Sequence, residues 1–184
     1  MTGLLEIDTT VFHWINSGFS NPVCDLILPI MRNKLTWIPV YLIIIYYIVS
    51  RFKSRWWMLL FLFIGVGLSD YSSSSIIKKS VERVRPCNND GMEVIERVHC
   101  GGGYSFTSSH ATNHFFISLY LCLVVFKSRR SRWILMLWAS IVSVSQVYVG
   151  VHYPLDILGG ASLGMIIAWL MYTAYANVPK PQVA

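Results

Sequence analysis

The sequence predicts an all-α integral membrane protein: a bundle of five transmembrane helices with an N-terminal interfacial amphipathic helix. Three observations carry this. The 184-residue chain is 54% hydrophobic and 13% charged, against about 25% charged in soluble domains. Its apolar residues gather in five runs, 35–50, 57–77, 104–126, 133–155 and 157–178, and a bilayer crossing takes roughly 17–25 such residues. Two short loops, 51–56 and 127–132, hold seven Lys and Arg and no acid. The length fits one domain over 1–184, divided into an N-terminal interfacial segment 1–34, an outer loop 78–104 and a tail 179–184.

The net charge of +6 is asymmetric rather than spread, which argues for a bilayer as partner and against nucleic acid. The excess of basic residues places loops 51–56 and 127–132 in the cytoplasm. Segment 78–104 and residues 152–156 then face the opposite side.

Residues 4–19 read as an amphipathic helix with Leu4, Ile7, Val11 and Ile15 on one face. No basic n-region precedes an apolar core, so this is not read as a signal peptide. Asn21-Pro22 breaks the helix, and a second short helix runs from Cys24 to Met31. Segment 1–34 is placed on the outer surface; the alternative, an extra span through 11–31, would put His13, Asn16, Asn21 and Asp25 in lipid. The first span is short, with Lys34 and Arg51 snorkelling to the two surfaces. The second ends in Asp70, Tyr71 and four serines. An intramembrane carboxylate demands a partner, either the nearby Lys78 or hydrogen-bonding groups on neighbouring helices. Cys87 and Cys100 bracket the outer loop, where an oxidising compartment would permit a disulfide. Cys24 and Cys122 read as packing residues, and the tail from Pro179 as disordered.

Three polar clusters lie at span ends on the outer side. Lys78 and Arg85 suit a phosphate, with a point charge from one and a bidentate grip from the other. Lys79 and Arg83 read as headgroup contacts. Gly101-Gly102-Gly103-Tyr104-Ser105-Phe106-Thr107-Ser108-Ser109-His110 opens the third span, and helix N-termini bind anions. Ser105 or Thr107 would cap that helix, Ser108 and Ser109 offer hydroxyls and amides, and His110 suits proton transfer to a leaving oxygen. His110 and His114 share a face, but Ala111 stands where a zinc protease carries its Glu, so no metal is expected. In Ser145-Gln146-Val147-Tyr148-Val149-Gly150-Val151-His152-Tyr153-Pro154-Leu155-Asp156, Pro154 suits the first position of a helix. Asp156 then lies in its first turn, in reach of His152, and a carboxylate beside an imidazole fixes its tautomer.

Together, Lys78-x6-Arg85-Pro86, Ser105 to His110 and Ser145-Gln146-x5-His152-x3-Asp156 resemble the three signature motifs of the type 2 phosphatidic acid phosphatase family, related to the vanadium haloperoxidases. The match spans residues 78–156. The resemblance implies a phosphatase without metal or other cofactor, acting on a lipid phosphate or diphosphate. His152 would form a phosphohistidine, oriented by Asp156. His110 would serve as acid and then base. Lys78, Arg85, Ser108 and the amide of Ser109 would hold the phosphoryl oxygens. Three positions depart from the family pattern. Thr107 replaces Pro. Ser109 replaces Gly, a strain if its φ must be positive. Gln146 replaces a phosphate-binding Arg, leaving a neutral donor that Arg83 or Lys79 would have to reinforce.

The expectation is therefore a multi-pass protein of the bacterial inner membrane with its site facing the periplasm. Undecaprenyl diphosphate, phosphatidylglycerol phosphate, phosphatidic acid and lipid A 1-phosphate are the substrates considered. Short outer loops favour the first or a general lipid phosphate. A lipid phosphotransferase and a non-catalytic lipid-phosphate binder are the alternatives. A transporter is disfavoured, since neither inverted repeats nor paired broken helices are visible.

Overall fold

The computed structural model describes residues 2–52 and 56–178. Lys53 and Arg55 of the first basic loop, and the tail from Pro179, lie outside the described residues. Every regular element among the described residues is helical: α1 (Thr2–His13), α2 (Pro22–Arg32), α3 (Ile38–Arg51), α4 (Trp57–Tyr71), α5 (Lys78–Val81), α6 (Ser109–Val124), α7 (Arg129–Tyr148) and α8 (Pro154–Ala176). Wide π turns over Ser72–Ile77 join α4 to α5 in one helical rod. Three stretches are long and apolar enough to cross a membrane: Lys34–Arg51, Trp57–Asn88 and Pro154–Ala176.

Helix α6 is the hub and packs chiefly on α8, then on α7 and α4. Its central position explains its polarity, because Thr112, His114 and Ser118 are buried against protein rather than lipid. The α6–α8 contact depends on absent side chains. A Cβ at Gly164 would lie 2.2 Å from the Thr112 carbonyl oxygen and one at Gly160 2.6 Å from that of Ser108. The small residues four apart let the two backbones meet, as in membrane helix pairs. The core at the far end gathers Met58, Leu62, Phe116, Tyr120, Leu121 and Ile167.

Two boundaries differ from the sequence reading. The third run begins at Ser109, not Tyr104, because Ser108 rather than Ser105 or Thr107 is the N-cap, accepting from the Ala111 amide at 3.4 Å. The glycine run is loop. The fourth run stops at Tyr148, not Leu155, since Gly150 takes φ +90° and turns the chain. A Cβ there would meet Val94 Cγ1 at 2.7 Å. Cys87 and Cys100 form a disulfide with Cα atoms 5.9 Å apart. Cys24 and Cys122 are free.

The apolar stripe of α1 is left uncovered at Leu4 and Ile7, and a second face of the N-terminal segment meets the protein. Asp8, Phe12 and Asn16 are buried at 3%, 0% and 0% exposure, while Leu4 and Ile7 stay exposed at 60% and 62%. The exposed apolar residues suit a membrane interface.

Candidate active site

At one end of the bundle, the turn between α7 and α8 meets the N-terminus of α6 and the end of the α4–α5 rod. Pro154 opens α8, as its fixed φ favours, and Asp156 stands in the first turn. One carboxylate oxygen, Asp156 Oδ2, accepts from the Tyr153 amide at 2.8 Å and faces His152 Nδ1 at 3.4 Å. An Nδ1–H directed at that carboxylate leaves Nε2 as the free lone pair. His152, 3% exposed, sits in the turn outside both helices. Burial holds its imidazole well below the usual range, the charges of Lys78 and Arg85 add to this, and Asp156 opposes it. Burial thus favours the neutral imidazole at rest.

Helix α6 supplies the second edge. Its first amides, at Ser109 and His110, lie beyond the reach of intrahelical acceptors. Ser109 is an ordinary helical residue without positive φ, so its side chain carries no strain. Its hydroxyl pairs with Ser73 at 3.0 Å, and Ser73 also meets Thr107 Oγ1 at 3.0 Å. These contacts tie the π turns to the motif. The Ser108 hydroxyl is spent on capping, and its amide donates to the Asp156 carbonyl at 3.1 Å. His110 is within electrostatic reach of His152.

Lys78 Nζ donates to the carbonyls of Tyr104 and Ser105 at 2.8 and 3.1 Å. Arg85 Nε donates to Gly103 O at 3.2 Å. Neither pairs with a carboxylate among the described residues, so no acid neutralises either charge there. Arg32, at the end of α2, lies near Arg85: burial and that neighbouring charge both pull its pKa down.

Gln146 is wholly buried, and neither polar atom of its carboxamide finds a hydrogen-bond partner among the described residues. Asp70 does not support Lys78; it accepts from Asn113 Nδ2 at 3.2 Å, the inter-helix reading. His114 Nδ1 faces the His110 carbonyl at 2.9 Å and its Nε2 the Tyr41 hydroxyl at 3.1 Å. Both ring nitrogens are therefore occupied.

Arg83 corrects the sequence reading. It neither faces headgroups nor stands in for the missing arginine. Its guanidinium bridges Asp8 Oδ2 at 2.5 Å and Asp156 Oδ1 at 2.7 Å, stacked 3.9 Å above the Tyr153 ring. Sequence reasoning also missed Asn16 and Arg97, which both donate to the Tyr148 carbonyl at 2.8 Å. Arg97 further pairs with Asp25. The available signal was the spacing of Asp8, Phe12 and Asn16, one turn apart on a single face.

A buried imidazole–carboxylate pair, a second imidazole at a helix N-terminus and two cations with no carboxylate partner among the described residues make a candidate phosphoryl-handling site in a membrane helical bundle. Comparison with known proteins makes this specific. Residues 56–180 match the PAP2 superfamily, and the chain belongs to that family; it is a phosphoric ester hydrolase. It is 32% identical over 181 residues to a lipid A 4'-phosphatase of Bacteroides thetaiotaomicron, covering 92% of this chain and 77% of the relative. It is 34% identical over 77 residues to the undecaprenyl-diphosphatase BcrC of Bacillus subtilis, covering 42% of this chain and 38% of that one. The crystal structure of a PAP2-type phosphatidylglycerolphosphate phosphatase from Bacillus subtilis superimposes with a TM-score of 0.76 at 22% identity, covering 99% of this chain and 90% of the other. The last likeness concerns the fold alone.

Proposed function

We propose that the chain crosses the bacterial inner membrane five times, with α1 and α2 on the periplasmic surface, and hydrolyses a lipid-borne phosphate there. The observation that carries a lipid substrate is the cavity of about 420 Å³ beside the site. Its walls are Tyr41, Ile44, Ile45, Leu62, Phe63 and Val66, and it reaches Ser109 and His110. Phe63 is 57% exposed on the surface a bilayer would cover. An acyl or prenyl chain in this cavity leaves its phosphate at the polar end.

His152 Nε2 attacks phosphorus while the bond to the lipid oxygen breaks. His110 passes a proton to that oxygen, and a phosphohistidine remains. Water then attacks the phosphohistidine with His110 taking its proton, and inorganic phosphate leaves. Lys78, Arg85 and the α6 amides hold the equatorial oxygens. Ser108 contributes its place at the helix start, Ser109 its amide, and Gln146 a neutral donor in place of the family's arginine.

A relative matched along nearly the whole chain is a lipid A 4'-phosphatase, so a phosphorylated glycolipid is the leading substrate. Arg32, near Arg85, and Lys34, which lines the cavity with His110, favour a second reading. They would neutralise the phosphate leaving group of undecaprenyl diphosphate.

Phosphate release by the purified protein in mixed micelles tests this across lipid A, undecaprenyl diphosphate, phosphatidylglycerol phosphate and phosphatidic acid. His152→Ala is expected to abolish release and the acid-labile phosphoprotein. Release that survives His152→Ala would end the phosphohistidine reading. Phosphate passed to an acceptor lipid instead of water would make the protein a transferase. Substrate binding without release would make it a binder.

A further inference from the structure

The N-terminal helix reaches into the reaction centre. Asp8 on α1 is buried, its side chain 1% exposed, and both carboxylate oxygens are used. Oδ1 accepts from the Leu155 amide at 2.8 Å and Oδ2 from Arg83 at 2.5 Å. The other arm of Arg83 holds Asp156 Oδ1 at 2.7 Å, and Asp156 Oδ2 faces His152. Four side chains from three distant parts of the sequence thus form one chain of charge-assisted contacts ending on the imidazole.

The arrangement is more than a surface ion pair. Asp156 is 0% exposed, and a buried carboxylate needs a hydrogen-bonded counter-charge. Arg83 supplies it, but a guanidinium serving Asp156 alone would be free to swing toward an incoming phosphate. Asp8 takes the opposite end of its planar fork and fixes it. The same acid holds the first turn of α8 through the Leu155 amide, next to Asp156 in sequence. Asn16, two turns further along the N-terminal segment, grips the Tyr148 carbonyl on the other side of the turn. Both ends of the turn carrying His152 are therefore held by residues 8–16.

We propose that Asp8 is a positioning residue for the phosphoryl-transfer reaction: through Arg83 it fixes the direction of Asp156 and hence of His152, which makes α1 part of the site. Its role is orientation, and it touches no substrate. Leu4, Leu5 and Ile7 of the same helix are exposed, an apolar face suited to the bilayer interface, so one helix would join that interface to the site.

This inference rests on His152 being the nucleophile, and the experiment separates the two. The full chain, in micelles of its best lipid phosphate substrate, is compared with Asp8→Asn, Arg83→Lys, Arg83→Met, the Asp8→Asn/Arg83→Met pair and His152→Ala. Asp8→Asn keeps the shape and the acceptor for Leu155. It is expected to lower kcat by about 10- to 100-fold, the size seen for partners that orient a histidine, with KM within about twofold. A merely structural acid would lower melting temperature and active fraction together. Here the melting temperature of Asp8→Asn stays within a few degrees and phosphoprotein forms more slowly per folded molecule. Arg83→Lys recovers part of the Arg83→Met loss, and the double variant is no slower than Arg83→Met alone, as expected of residues acting in series. Asp8→Asn with parental kcat overturns the proposal, as does an Arg83→Met loss confined to KM, which would make Arg83 a phosphate ligand. If Asp8→Asn fails to fold, Arg83→Lys still decides: parental kcat overturns the proposal, and a lowered kcat at unchanged KM supports it. An active parent whose His152→Ala variant is equally active removes the underlying mechanism instead.

Discussion

Replacing Gln146 by Met separates a ligand-facing amide from a structural one, because the two roles give opposite signs. The carboxamide is fully buried, and both its oxygen and its nitrogen lack hydrogen-bond partners among the described residues. Leaving a buried donor or acceptor unsatisfied costs about 1–3 kcal/mol. Met has nearly the same length and no such groups, and it fills irregular space well. Gln146→Met is therefore expected to stabilise the substrate-free protein by about 1–3 kcal/mol, and each kcal/mol raises Tm by about 2–4 °C at this size. Phosphate release should move the other way. Losing one neutral hydrogen bond to the transferring group costs about 1.4 kcal/mol, or roughly tenfold in kcat/KM. The assay is thermal unfolding in detergent, with and without orthovanadate as phosphate mimic, beside initial rates of phosphate release. Vanadate should narrow the gap in Tm, since it satisfies the amide only in the parent. A lower Tm for Gln146→Met, with turnover unchanged, would show that the amide is satisfied within the fold and faces no phosphate.

Further outcomes follow from the packing and the surface charges. Gly164→Ala puts a methyl 2.2 Å from the Thr112 carbonyl; overpacking of this kind costs about 1–3 kcal/mol, while Gly67→Ala, with nothing within 4 Å, should not lower Tm in a parallel unfolding scan. At the outer surface, the Tyr148 hydroxyl and then Arg97 hold the Asp25 carboxyl below its ordinary value. Its folded pKa is depressed, so its contribution is present above about pH 4 and disappears as pH falls through the lower folded value. Tm measured from pH 6 to pH 3 should thus fall more steeply for the parent than for Asp25→Asn, and parallel curves would contradict this.

Much of the candidate site is legible in the sequence alone, because phosphoryl chemistry needs residue types that are rare in lipid. His152 with Asp156 four residues on, Pro154 at the helix start, and Lys78 with Arg85 all stand out against apolar runs. Their convergence follows from counting crossings between two basic loops. What escapes is whatever depends on the direction of a side chain. Arg83, two residues before Arg85, looks like another juxtamembrane cation; only the fold turns it inward onto Asp156. Likewise the stripe that starts at Leu4 and Ile7 is left uncovered by protein, and the same periodicity hides a second, mixed face of Asp8, Phe12 and Asn16 that the protein claims. Hydrophobic periodicity reports where apolar residues gather but not whether lipid or protein covers them. The helix boundaries at Ser109 and Tyr148 shift for a similar reason: capping by Ser108 and the left-handed Gly150 are local backbone choices inside polar stretches where periodicity is silent.

The separation of 147 residues between Asp8 and the Leu155 amide it holds bears on how the molecule is made. Translation delivers Asp8 long before the helix whose first turn it holds. Before α8 forms, Asp8 can already meet Arg83, but the Leu155 amide and the Asp156 carboxylate that complete the clasp are missing. On the mechanism proposed above, a ribosome-bound chain stopped before α8 would carry Lys78, Arg85 and His110 without the Asp156 partner of His152, and is expected to release no phosphate until that last contact is made.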